Sequence, residues 1–170
     1  KKEAREEDIQ GAVDYVLTFQ EMRDIFEAAD IHLEALPEDE REHASRAGRL
    51  YARTGGVSEA VASMTQQLQP EKLHVRAEQA EGAKACMEMI QRIKKGETDA
   101  NFFEGMGCVG GCVGGPKTLR KQEEGRACVD NYAEESLYKT PLENPYVRKI
   151  LEELGLGTIE DLIEDPILER

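Results

Sequence analysis

Apolar positions recur at helical spacing along much of the chain, broken by short apolar runs and by clusters of glycine and proline. Phe19, Met22, Ile25, Phe26 and Ala29 fall on one helical face. Thr18, with Glu21 three residues on, supplies a capping box at its start. Val57, Ala60, Val61, Met64 and Leu68 repeat the spacing after Gly55-Gly56. Residues 82–95 predict another helix with Cys86, Met89, Ile90 and Ile93 inward, closed by Lys94, Lys95 and Gly96, cations and then glycine. A polar helix is expected from after Pro116 to about Ser136, then a connector over 137–143. Asn144 as cap and Pro145 at the first helical position start a further helix, with Val147, Ile150, Leu151 and Leu154 inward and Gly155 as its stop. Thr158 and Asp161 open a last short helix that ends before Pro166.

The short runs read as strands. Ala12–Leu17 and Leu73–Ala77 have strand length, and Phe102-Phe103 reads as the end of a buried strand feeding a glycine-rich loop. Residues 31–47, with Pro37 and an acidic cluster, read as a long loop; His32 and His43 lie in it without a spaced partner. Strands alternating with helices predict an α/β layer architecture with a short parallel sheet flanked by helices. The expected organisation is one domain over 1–170, with a helical C-terminal segment over 142–170.

Charge narrows the partners. The net charge of −13 disfavours nucleic acid and anionic membrane surfaces. No apolar run approaches 18 residues, and no secretory signal is visible at the start. Four cysteines, at 86, 108, 112 and 128, are too sparse for a disulfide scaffold. A reducing, cytoplasmic setting with thiolates kept for metal is the expectation. Cys86 lies on an apolar helical stripe and reads as core, while Cys128 lies in a polar stretch with no evident partner.

Chemistry concentrates in Asn101–Lys117. Cys108 and Cys112 stand four residues apart, among glycines at 105, 107, 110, 111, 114 and 115. A thiolate pair in such backbone suits an iron–sulfur cluster, whose sulfides accept hydrogen bonds from bare N–H groups. Two other readings stay open. A structural glycine turn with free thiols is one. The other is a phosphate loop in Gly110–Thr118, although Pro116 separates the glycine from Lys117 where that motif needs them adjacent. Ordering so much glycine costs about 1–2 kcal/mol per residue in backbone entropy, so the loop is expected to be mobile without metal. Gly55-Gly56 could set a helix N-terminus beside an anionic ligand, or allow tight strand–helix packing.

Phe103–Pro116, reading Phe-Glu-Gly-Met-Gly-Cys-Val-Gly-Gly-Cys-Val-Gly-Gly-Pro, resembles the third cluster-binding motif of the iron-only ([FeFe]) hydrogenase large subunit. Val13–Thr18 followed by Glu21, Gly48–Val57, and Glu143-Asn144-Pro145 resemble further family segments in the family's order. Lys1-Lys2-Glu3-Ala4 is similar to the tail of the second cluster motif, with either lysine as the match to a functional one. With its charged start, the chain then reads as a piece cut from a larger domain.

The resemblance implies a half-domain of the iron-only hydrogenase fold, reversible reduction of protons to hydrogen, and an H-cluster made of a [4Fe–4S] cubane and a diiron subsite. Carried over, Cys108 ligates the cubane, and Cys112 ligates it and bridges to the diiron unit. Met106 supplies an apolar contact, and Gly110 and Gly111 supply close backbone. Tyr51 and Ala52 fall in the pocket around the distal iron, where the family commonly carries Phe and Gly.

The implied partners are the upstream half of the same subunit, with the other cluster cysteines, and a ferredoxin-type electron donor. The isolated chain would be free of iron and inactive, with an exposed rim suited to pairing with a second copy. The changed pocket and a shortened stretch before Asn101 keep a second class open: a hydrogenase-like iron–sulfur protein of sensory or cluster-assembly type. A metal-free structural half-domain is a third.

Overall fold

The computed structural model describes residues 11–37, 43–68, 71–158 and 161–162. Its elements run α1 (Phe19–Ala28), α2 (Arg46–Arg49), α3 (Gly56–Leu68), β1 (Ala77–Glu81), α4 (Ala83–Lys95), β2 (Phe102–Met106), α5 (Gln122–Glu134) and α6 (Pro145–Glu153). The architecture is α/β. β1 and β2 pair in parallel, Ala77 opposite Phe102 and Glu81 opposite Met106, with α4 as the crossover between them.

Local signals account for several helix ends. Thr18 Oγ1 accepts from the Glu21 N–H at 3.3 Å, and Glu21 Oε2 accepts from the Thr18 N–H at 2.7 Å, the reciprocal capping box. Gly96 ends α4 at φ 71°, a left-handed conformation that glycine adopts without a Cβ penalty. Asn144 Oδ1 accepts from the Tyr146 N–H at 3.0 Å and caps α6, with Pro145 at the first position.

The strand reading needs correction in two places. Ala12–Leu17 forms no strand: Val13, Val16 and Leu17 are exposed, and no described strand lies alongside to satisfy their backbone. The strand expected at 73–77 instead begins at Ala77, in Ala-Glu-Gln-Ala-Glu. That stretch has little intrinsic β-preference and is held by its pairing to β2. The loop expected over 31–47 contains a 3-10 turn at Leu33–Ala35 and gives way to α2 at Arg46.

α3 and α4 both pack on the sheet, and alternation along β2 separates them. Glu104 reaches α3, whereas a Cβ on neighbouring Gly105 would meet Cys86 and Met89 of α4. Among the described residues the sheet is two strands wide, so it covers part of each apolar stripe. Met89 is buried, but Ile90 and Ile93, expected inward, are 41% and 37% exposed. On α6, Ile150 and Leu154 are likewise exposed.

Leu50, Ala47, Ala60 and Ala133 are buried where α2 packs against α3 and α5. Small side chains allow these helices to approach closely, and Gly56 is required: a Cβ there would overlap the Leu50 carbonyl oxygen. The chain's later part closes on this unit. The N–H groups of Arg46 and Ala47 donate to the carbonyls of Tyr138 and Lys139 at 2.7 and 3.1 Å. Asn144 Nδ2 donates to the His43 carbonyl at 2.6 Å, and the His43 ring stacks on Tyr146.

Candidate functional site

β2 delivers Met106 to the start of the cysteine loop, at the carboxyl end of the parallel pair, where such sheets place ligands. The loop is tied to the fold on two sides. Gly110 N–H donates to Glu81 Oε2, at the end of β1, at 2.9 Å. Thr54 N–H donates to the Gly110 carbonyl at 3.2 Å, and Arg53 and Gly111 form an antiparallel bridge. The chain then turns through a 3-10 segment, Cys112–Gly114.

The glycines allow this anchoring. Gly110 and Gly111 are buried with φ of 86° and 78°, and a Cβ on Gly111 would stand 2.8 Å from the Thr54 nitrogen. A Cβ on Gly114 would overlap the Val109 carbonyl oxygen. The N–H groups of Gly110, Gly111, Gly114 and Gly115 donate to Glu81, Cys108 O, Gly111 O and Cys112 O. The bare donors expected at these four glycines are therefore engaged by the protein itself. Their backbone closeness serves the loop's own packing, and these bonds offset part of the entropy cost of ordering it.

Cys108 is half-buried and Cys112 exposed, both as free thiols. Cys112 opens onto a cavity of about 350 Å³ whose lining includes Ala52, Val113, Leu119, Arg120 and Val129. Two of the expected site positions, Cys112 and Ala52, thus share one cavity. Tyr51 is 51% exposed and is not among its lining residues, nor are Cys108 and Met106. Met106 is half-buried and, by alternation, on the Glu104 face of β2. Lys1 and Lys2 lie outside the described residues. Among the described residues, no group of three or more His, Cys, Asp or Glu is placed to hold a metal ion.

The remaining cysteines sit apart in role. The Cys86 thiol lies between α4 and the sheet, within reach of the carbonyls of Ala80 and Met106 as alternative acceptors for its one S–H, and Cys128 is exposed on α5. The phosphate-loop reading fails on geometry. Lys117 takes φ 68° in a turn, and the next helix starts only at Gln122, so Lys117 does not open a helix directly behind the glycines as that motif needs.

The α3 N-terminus does face an anion, and the anion is Glu104. Its Oε1 accepts from the Gly55 N–H at 2.7 Å, and its Oε2 accepts from the Ser58 N–H at 2.7 Å and the Ser58 hydroxyl at 2.6 Å. Glu104 is 5% exposed, so these donors, together with the helix dipole, compensate the buried carboxylate. An acidic residue inside Phe-Phe-Glu-Gly-Met was the available signal for such a role.

A second polar cluster went unread in the sequence. Arg53 donates through Nε to Asp130 Oδ1 at 2.6 Å and through Nη2 to Glu59 Oε2 at 2.8 Å. Arg46 donates to Glu59 Oε1 at 2.6 Å and to Glu134 Oε1 at 2.8 Å. Burial lowers the Arg53 pKa, but the hydrogen bonds to Glu59 and Asp130 outweigh it and leave it above the usual arginine value. Burial likewise raises the Glu59 pKa, and the hydrogen bonds from Arg46 and Arg53 bring it below the usual carboxylate range.

The family model for the iron-only hydrogenase large subunit, C-terminal domain, matches residues 1–116, which contain both loop cysteines. Among solved structures, the chain is similar to that of HydA(deltaEFG), described for stepwise [FeFe]-hydrogenase H-cluster assembly, with a TM-score of 0.56 and 22% identity. That match covers 85% of this chain and 53% of the other, so the chain spans about half the length of the structure it resembles. At that identity the likeness speaks for the fold. No curated protein matches the chain.

Proposed function

Because the chain belongs to the family of the iron-only hydrogenase large subunit, C-terminal domain, we propose that it supplies two of the four cysteine ligands of an H-cluster that reversibly reduces protons to hydrogen. The observation that carries this reading is the anchored loop, which presents Cys112 to a cavity that Ala52 also lines. The donor set fits the group: two free thiols four residues apart are soft ligands suited to iron–sulfur clusters. When bound, the H-cluster supplies the redox and hydrogen bond-making chemistry.

The chain's own residues provide ligation, shape and water exclusion. Cys108 and Cys112 would hold the cluster through their thiolates, Cys108 as a cubane ligand and Cys112 as the ligand next to the diiron unit. Gly110 and Gly111 hold the backbone between the two sulfurs against Glu81 and Arg53–Thr54. Val113, Leu119 and Val129 give the cavity an apolar wall that disfavours water. Ala52, on the cavity wall, would limit the space around the diiron unit, and Met106, outside that lining, would supply only the apolar contact that the resemblance implies.

In this reading the upstream half of the large subunit supplies the remaining cysteines and covers exposed apolar positions such as Ile90 and Ile93. The chain by itself would instead pair through them with a second copy. A ferredoxin-type protein or domain delivers electrons, and the setting is the reducing cytoplasm.

Anaerobic reconstitution of the full-length protein with iron, sulfide and a diiron precursor tests the function. Hydrogen evolution together with carbonyl and cyanide infrared bands is the expected result. A [4Fe–4S] signal without those bands or turnover assigns the protein to the sensory or cluster-assembly type instead. No iron uptake overturns the cluster reading altogether.

A further inference from the structure

We propose that Arg53 is the positioning residue of the cysteine loop, one buried guanidinium that fixes the loop, the Ala52 turn and α5 relative to one another. The proposal rests on the reading of Cys112 as a cluster ligand. Through its backbone, Arg53 bridges Gly111, immediately before Cys112, while the next residue, Thr54, donates to Gly110. Its predecessor in the chain is Ala52, which lines the cavity. Its side chain, 9% exposed, binds Asp130 on α5, the helix that contributes Gly125 and Val129 to the same cavity. The same side chain binds Glu59 on α3 and the Thr54 carbonyl at 3.3 Å.

Three cavity-forming segments therefore meet at one residue. The chemistry selects arginine: a planar fork of donors reaches two carboxylates and a carbonyl from one position, whereas a lysine ammonium at the end of a flexible stem cannot hold all three in register. The arrangement also resists slippage, because the buried charge is that of the Arg53 guanidinium, which would lose both of its carboxylates on moving away, whereas Glu59 would keep Arg46. A shift of Arg53 carries Gly111 with it, and with Gly111 the sulfur of Cys112.

Arg46 provides the contrast. It shares Glu59 and also binds Glu134 on α5, so it has similar charge and similar structural reach. None of its described contacts is to the cysteine loop.

The test uses the full-length protein. In the iron-free form, amide hydrogen exchange over residues 107–116 is expected to accelerate about tenfold in Arg53→Lys, with residues 83–95 unchanged. Asp130→Asn gives a smaller acceleration confined to the same loop, and it carries the test if Arg53→Lys fails to fold. Arg46→Lys leaves the loop at the wild-type rate. In the iron-loaded form, the cluster's electron paramagnetic resonance g-values shift in Arg53→Lys and not in Arg46→Lys.

Unchanged exchange in both Arg53→Lys and Asp130→Asn overturns the proposal, as does equal loosening by Arg46→Lys. Unchanged g-values in a loosened loop overturn the positioning of the cluster. A wild-type protein that takes up no iron, with the exchange result intact, overturns the ligand reading and leaves Arg53 as a structural clamp only.

Discussion

The carboxylate of Glu104, at the centre of β2, closes the N-terminus of α3 through Ser58, whose N–H and hydroxyl both donate to the same oxygen at 2.7 and 2.6 Å. Strand and helix are thus joined by a buried carboxylate with its donors already in place, on the strand that leads into the cysteine loop.

Glu104→Ala should lower the stability of the folded protein by about 3 kcal/mol, because buried donors at Gly55 and Ser58 lose their acceptor. Glu104→Gln should cost about half as much, since its amide retains one acceptor oxygen. Urea unfolding at constant m-value measures both. Equal costs for the two would mean that side-chain volume, rather than acceptance, is what matters at this position.

The loop glycines should divide by the space around them. A Cβ added at Gly107 would meet no heavy atom within 4 Å, whereas one at Gly114 would run into the Val109 carbonyl. Gly107→Ala should stay within about 0.5 kcal/mol of the parent, and Gly114→Ala should cost about 2 kcal/mol and lower iron uptake. Thermal melting and iron analysis of the full-length protein separate the two effects.

Cysteine substitutions in the full-length protein test the ligand assignment. Cys112→Ser should abolish hydrogen evolution and the diiron infrared bands. Cys128→Ser should leave both intact, and Cys86→Ser should cost about 1 kcal/mol of stability with activity retained. Loss of turnover in all three variants would refute the assignment.

Glu59 should give the protein an acid-sensitive component of stability. Its pKa is depressed in the folded state, so its contribution is complete above the ordinary carboxylate value of about 4.3 and is lost as pH falls through the lower folded value. Glu59→Gln should flatten that limb of the stability–pH profile while leaving the profile above about pH 6 parallel to the parent. An unaltered acid limb would place the sensitivity elsewhere.

Much of this was legible locally. Thr18 and Glu21, Gly96, and Asn144-Pro145 act within a few residues of themselves, so sequence alone exposes them, and the cysteine loop carries its own spacing. What escaped reading depends on distant partners. β1 has no β-branched residue and exists because β2 lies beside it. Ala12–Leu17 has strand composition, yet no described strand pairs with it. Glu104 and Ser58 are 46 residues apart, and Arg53 and Asp130 are 77 apart. The same separation hides part of why the glycines at 110 and 111 are needed: their neighbours include Glu81, Gln122, Arg53 and Thr54.

The hydrogen bond from Asn144 to the His43 carbonyl spans 101 residues, and this sets an order of events on the ribosome. At about 5–20 residues per second, the segment that begins at His43 waits about 5–20 s for the side chain that fastens it. The α2 amides wait nearly as long for the carbonyls of Tyr138 and Lys139. The β1–α4–β2 unit, whose paired strands are 25 residues apart in register, can close well before either. The cysteine loop therefore emerges onto a finished strand pair while the Arg53 side of its seat is still awaiting Asp130, an interval in which its thiols are available to whatever delivers iron or oxidises them.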